Sequence, residues 1–274
     1  MTTDVVIAGL VALLLYPGIL FAIGLSIGYR ILSGRPLPFP GKMIVSPDLT
    51  DGLGLTSLAL IGGGLAGLTW PGHQWSLPFG WIGSWALFEL AAWSPLLPAL
   101  MAGAPRTVRA ALREAQIGML ARAILWGSIA TGLAAADNLN GWSLSGHGFI
   151  LVSALLSLPA AINWGPFGPE PSLGPQGITE GLSTRAATAL TFARDTLAAA
   201  LIATIWLAGF PIAVLPVWLG LLVIGIGSII TTLGLRWLNG RFPRFSVPAA
   251  LRFTLIGAGS LAGLALVAIS VGQM

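Results

Sequence analysis

The sequence contains no cysteine and only two histidines, His73 and His147, which stand in short polar breaks between apolar runs. Without thiolates the chain can hold neither an iron–sulfur centre nor a thiolate zinc site, and two separated imidazoles argue against a haem. Charge is sparse as well. Of 274 residues 8% are charged and 55% hydrophobic, and mean hydropathy is +0.89. Too few polar side chains remain to cover a surface facing water, so most of the chain has lipid as its solvent. The long apolar runs also lack the period-two alternation of a membrane β-barrel. In hydrocarbon every backbone amide needs an internal partner, which leaves helices.

No basic residue precedes the first apolar run, which follows Asp4 and ends at Tyr29 and Arg30 without a small-residue cleavage site. It reads as a retained span, not a signal peptide. At about 20 apolar residues per crossing, the sequence predicts an all-α integral membrane protein: one polytopic domain over 1–274 with about eight transmembrane helices. They fall near 4–29, 52–71, 78–98, 113–136, 147–164, 188–210, 213–235 and 249–271. Breaks rich in Pro, Gly, Asn and Ser separate them at 70–78, 137–147 and Phe210–Pro211.

The 13 basic residues fall into four groups. Arg30, Arg35 and Lys42 follow the first span. Arg106, Arg109 and Arg113 precede the fourth, with Arg122 inside it. Arg185 and Arg194 flank the start of the sixth, and Arg236, Arg241, Arg244 and Arg252 surround the gap between the last two. Every group sits at an odd-to-even junction. Because Lys and Arg near span ends are retained in the cytoplasm, both termini are expected on the outer face of a bacterial or archaeal cytoplasmic membrane. The formal net charge of +4 then reflects topology and phospholipid contacts, not a nucleic-acid surface.

Two of the expected inner loops are irregular. Residues 165–177 hold eight Gly or Pro in 13, and 33–50 contains Pro36, Pro38, Pro40 and Pro47. Such loops either carry function or act as flexible connectors. Ionisable residues at membrane depth are few: Glu89, Glu114, Arg122, Arg194 and Asp195. Their burial cost makes them functional candidates, with structural ion pairing as the plainer role. Glu89 could carry a proton or pair with an arginine of a neighbouring helix. Glu114 and Arg122, eight apart, share a helix face but are too distant to pair directly, while Arg194 and Asp195 point about 100° apart. No nucleophile with its base and no phosphate-cradling loop is present, nor is a repeat of the secondary-transporter kind.

Three motifs carry a resemblance. Ala111-Leu112-Arg113-Glu114-Ala115-Gln116 opens a span after a basic loop, Ile178-Thr179-Glu180-Gly181-Leu182-Ser183-Thr184 precedes the sixth span, and Arg241-Phe242-Pro243-Arg244-Phe245, with Arg252 following, joins the last two. In order and common side they resemble the subunit 1 family of respiratory complex I, and most nearly its energy-converting membrane-bound hydrogenase branch. That resemblance implies an eight-helix heel subunit without a redox centre or catalytic residues of its own. It would dock hydrophilic iron–sulfur and hydrogenase-like subunits beside antiporter-like membrane subunits. Arg109, Arg113, Glu114, Glu180, Arg185, Arg241, Arg244 and Arg252 would serve that docking, and iron–sulfur clusters would lie in the partners. The sequence departs from the family where Arg122 replaces a glutamate, where Arg185-Ala186-Ala187-Thr188 replaces Glu-Tyr-Ser-Gly, and where only Glu170 survives of an acidic series. Those acids line the family's proposed proton route, so an altered or lost route is implied, or another path through Glu89.

Two further readings stand beside this one. A quinone pocket between the first span and the 165–185 loop is permitted by the Gly/Pro-rich loop and aromatic span ends. A stand-alone carrier suits the many glycines but lacks repeats and broken helices.

Overall fold

A computed structural model describes residues 3–37, 49–73, 79–135, 140–168, 177–239 and 241–272. The described residues are helical, with no β-strand among them. In chain order the helices are α1 (Thr3–Leu14), α2 (Ile19–Ser33), α3 (Leu49–Ala66), α4 (Gly80–Trp93), α5 (Leu97–Met101), α6 (Pro105–Ala134), α7 (Gly141–Ala161), α8 (Thr184–Gly209), α9 (Val217–Leu238), α10 (Val247–Arg252) and α11 (Ser260–Gly272). A π-helical stretch, Phe253–Gly259, joins α10 to α11.

The protein is therefore an all-α integral membrane protein. Among the described residues six segments have the length and apolarity to cross a bilayer: Ile7–Ser33, Pro105–Ala134, Gly141–Ala161, Thr184–Gly209, Val217–Leu238 and Val247–Gly272. The expected eight is reached only if α3 and α4 also cross: the 18 residues of α3 extend about 27 Å against a hydrocarbon core of about 30 Å, and α4 runs on through a 3-10 turn, Ser94–Leu96, into α5, a continuous helical run long enough for the same core.

Several expected boundaries move. The first run is not one helix but breaks between α1 and α2 at residues 15–18, because Pro17 has no N–H and drives the residue before it out of the helical region. Arg106, Arg109 and Arg113 do not precede the fourth span. They lie within α6, which begins at Pro105, the first-turn position that tolerates proline. His147 is not in a polar break but inside α7, which starts at Gly141 and is capped by Asn140, whose side chain accepts from the Ser143 amide at 2.7 Å. Lys42, Asp137, Glu170 and most of the 33–50 and 165–177 loops lie outside the described residues.

The chain divides into two compact units. Unit 1 comprises Met1–Leu112 and Pro169–Ala200. Its α2 ends in left-handed Gly34, whose N–H reaches the Arg30 and Ile31 carbonyls. The break in the first run is tied down by the Tyr16 hydroxyl, which donates to the Pro71 carbonyl at 2.9 Å, and by edge-to-face contacts of Tyr16 with Phe21 and His73. α3 and α4 approach closely through glycine: a Cβ at Gly64 would stand 2.6 Å from the Phe88 ring. The Ser57 hydroxyl donates to the Ala91 carbonyl at 3.0 Å across the same pair.

Unit 2 comprises Arg113–Gly168 and Leu201–Met274. Here α7 packs along α11, with Ala135, Ile150, Ala265 and Ile269 forming a buried cluster. The Ser153 hydroxyl donates to the Ala258 carbonyl of the π-helical stretch at 2.7 Å and meets Ser128 Oγ at 3.0 Å. The Trp164 indole N–H donates to the Leu235 carbonyl at 2.7 Å, and that of Trp206 to Thr231 Oγ1 at 2.9 Å.

Candidate functional site

Ionisable groups inside the apolar helices need partners, and in unit 1 they find one another. Asp195, three turns into α8, is buried between two guanidinium groups: Arg30 Nη1 lies 2.6 Å from Oδ2, and Arg35 Nη1 donates to Oδ1. Arg30 closes α2 and is itself buried. Its Nε donates to the Pro36 carbonyl at 3.0 Å, and its charge stands 5.9 Å from the Phe192 ring centroid. Arg35 remains one-third exposed. One carboxylate thus fastens the end of α2 and the 35–37 segment to α8, with Arg35 at the rim. Neither arginine was among the expected site residues. The one signal in the sequence was an aspartate inside an apolar helix without a basic residue one turn away on the same face.

Elsewhere in unit 1, Glu89 sits half-buried on α4, and Arg194, Glu180 and Arg185 are half-buried as well. Arg109 is exposed on α6. One oxygen of Glu180, Oε2, is buried without a hydrogen-bond partner among the described residues.

In unit 2 the buried arginines face carbonyl groups. Arg113 is 6% exposed. Its Nη2 donates to the Phe245 carbonyl at 2.6 Å and reaches the Gly168 carbonyl at 3.5 Å, while the Phe245 amide donates to the Pro166 carbonyl at 2.8 Å. The rings of Phe167, Phe245 and Phe253 pack against one another beside this junction. Arg113 was expected to face a docking partner, yet its guanidinium points inward and joins the 165–168 turn to the 244–246 segment. Arg122 is also buried, and its Nη1 donates to the Ala161 carbonyl at 3.3 Å. That carbonyl lies at the carboxyl end of α7, where the helix dipole favours a cation. Gly118 makes the room, since a Cβ there would lie 2.7 Å from Arg122 Nη1. Glu114 is half-buried, and its backbone carbonyl accepts from Asn163 Nδ2 at 3.5 Å. His147, buried in α7, has Nδ1 3.2 Å from the Ala208 carbonyl in the last turn of α8.

The exposed cations of unit 2 gather at the end of α9, with Arg236 in its last turn, and beyond it. Arg241, Arg244 and Arg252 are exposed, and the Arg241 guanidinium lies 4.7 Å over the ring of Trp237. Among the described residues no three His, Asp or Glu side chains converge as a metal site would require.

These features define a class: a multi-pass helical membrane protein with buried, partnered arginines and an exposed arginine loop. No family model and no curated protein matches the chain. Among solved structures it is similar to a chain of "the membrane-bound sulfane sulfur reductase (MBS), an archaeal respiratory membrane complex", with a TM-score of 0.56 and 14% identity over 97% of this chain and 99% of that one. At that identity the likeness is one of fold, and it runs nearly end to end on both chains.

Proposed function

We propose that this chain is a membrane-anchor subunit of a multi-subunit oxidoreductase of the complex I-like or membrane-bound hydrogenase-like kind, docking peripheral electron-transfer subunits on the cytoplasmic face. The observation that carries the reading is the end-to-end fold likeness to a chain of an archaeal respiratory membrane complex. Motif order in the sequence supports it independently. The residues available for docking are exposed or half-buried ones, Arg109, Glu180, Arg185 and Arg244. Arg113 acts behind Arg244 by fixing the 244–246 segment that presents it in unit 2. The iron–sulfur clusters belong to the partners in this reading, and antiporter-like subunits would lie beside the chain in the membrane. The family's proton route is altered here, since Arg122 occupies an acidic position and is engaged with the end of α7.

Affinity purification of the tagged chain in mild detergent tests the reading. Wild type should bring down soluble iron–sulfur subunits in stoichiometric amount, and Glu180→Gln and Arg244→Ala should each weaken that attachment about three- to tenfold, the loss of one charged contact. Recovery of a wild-type monomer, or unchanged assembly in both variants, would count against it.

A further inference from the structure

The last two spans carry an arginine cluster beside helix surface that the rest of this chain leaves uncovered. From residue 196 to 274 the sequence contains no aspartate or glutamate, yet it holds Arg236, Arg241, Arg244 and Arg252. Unit 2 as a whole has two acidic residues, Glu114 and Asp137. The flanking spans are little covered by the rest of the chain: 28% of the most apolar 18-residue stretch of Val217–Leu238 and 22% of that of Val247–Gly272 are buried, against 83% of that of α8.

Arg252 ends α10, already inside the last span, and its exposed neighbours are Phe253, Leu255 and Ile256. Those three belong in hydrocarbon. A guanidinium one turn from them must extend its stem towards the polar layer and meet an anion there. Across the loop, Trp237 is 55% exposed in the last turn of α9, and Arg241 is stacked on its ring. An indole at a span end settles at headgroup level, so the stacked cation is held at the same depth. Below Trp237, exposed Ile226, Ile230 and Leu233 continue the apolar face. The surface thus presents fixed positive charge at phosphate height with greasy helix beneath it. That pattern matches an amphiphile with an anionic head and acyl chains better than the polar, acidic surface of a soluble protein.

We propose that Arg241 and Arg252 each bind the phosphate headgroup of anionic phospholipid, whose acyl chains lie on the exposed faces of α9 and the last span. This takes both arginines out of the docking set. It rests on unit 2 alone and stands whether or not peripheral subunits attach.

The test is native mass spectrometry of the full chain released from mixed phosphatidylglycerol and phosphatidylcholine nanodiscs. Wild type should retain phosphatidylglycerol preferentially, and preference should fall about fivefold for Arg241→Ala and about fivefold again when Arg252→Ala is added. Arg241→Lys and Arg252→Lys should keep most of it, and Arg106→Ala, an exposed charge lost from unit 1, should leave it unchanged. Equal retention of the two lipids by wild type, or undiminished preference in the double alanine variant, would overturn the proposal. So would a double variant that binds lipid normally but loses soluble subunits, which would assign the pair to a protein partner. If the alanine variants do not fold, the wild-type preference and its decline with added salt decide the matter.

Discussion

Unit 1 carries seven basic and seven acidic residues, whereas unit 2 carries six basic and two acidic ones. The difference reappears in how each buries a guanidinium. In unit 1, Arg30 and Arg35 converge on the carboxylate of Asp195. In unit 2, Arg113 and Arg122 donate to backbone carbonyls at a loop junction and a helix end. Both arrangements satisfy a buried cation, but they fail differently. Removing the carboxylate leaves net charge stranded in low dielectric. Removing an arginine that donates to carbonyls leaves a neutral acceptor short of one bond. A membrane chain short of acids can therefore still bury arginines, provided that helix ends and irregular loops turn carbonyls towards them.

The widest test of this contrast is Asp195→Ala. It leaves Arg30 buried beside Arg35 with no carboxylate between them, and stability in detergent should fall by about 3–5 kcal/mol, the cost of breaking a buried pair from one side. The loss should appear as a lower unfolding midpoint. Replacing Arg30 with Met in the same chain should recover part of it, because the stranded charge goes too. A midpoint within about 1 kcal/mol of wild type would mean that water or lipid reaches the cluster, and the contrast between the units would collapse.

Arg113→Met comes next. The variant keeps the length of the side chain and deletes its bonds to the Phe245 and Gly168 carbonyls. A charged hydrogen bond contributes about 1.5–3 kcal/mol, so the expected loss is about 2 kcal/mol. It should be local, with faster tryptic cleavage at Arg241 and Arg244 and faster amide exchange at Phe245. Unchanged cleavage would show that the aromatic cluster of Phe167, Phe245 and Phe253 holds the junction without the arginine.

How far the sequence foretold these sites follows from what hydropathy records. It registers contact with lipid, so the helical class and most spans were legible. It does not register where a helix continues beyond the membrane, which is why α6 begins at Pro105 and includes three arginines expected before it. The start of α7 was within reach, because Asn140 ahead of an apolar run is a capping signal, although Gly141, Gly146 and Gly148 gave the first turns the look of a loop. So was the break at Pro17, although continuous apolarity concealed it. The pairing of Arg30 and Arg35 with Asp195 was not: 165 and 160 residues separate them, and no local period couples such distant positions. The π-helical stretch likewise leaves no mark, since its residues are ordinary for a span. Arg122 could be recognised as a buried charge, but its role at the end of α7 depends on Gly118 and Ala161 coming together in the fold.

The smallest effect should come from Ser153→Ala, and it tests whether the polar contacts of unit 2 act singly. Ser153 Oγ donates to the Ala258 carbonyl and meets Ser128 Oγ, whose hydroxyl is also 3.0 Å from the Ile124 carbonyl. Removing it costs one neutral hydrogen bond, about 1 kcal/mol, and Ser128 retains its acceptor within α6. Ser153 and Arg113 have no partner in common among the bonds described, so the double variant should lose the sum of the two single losses within about 0.5 kcal/mol. In unit 1 the corresponding cycle, Arg30→Met with Asp195→Ala, should be strongly non-additive, because both groups belong to one ion cluster. Equal coupling energies in the two cycles would show that unit 2 also pools its polar groups into one network, with the π-helical stretch as part of it.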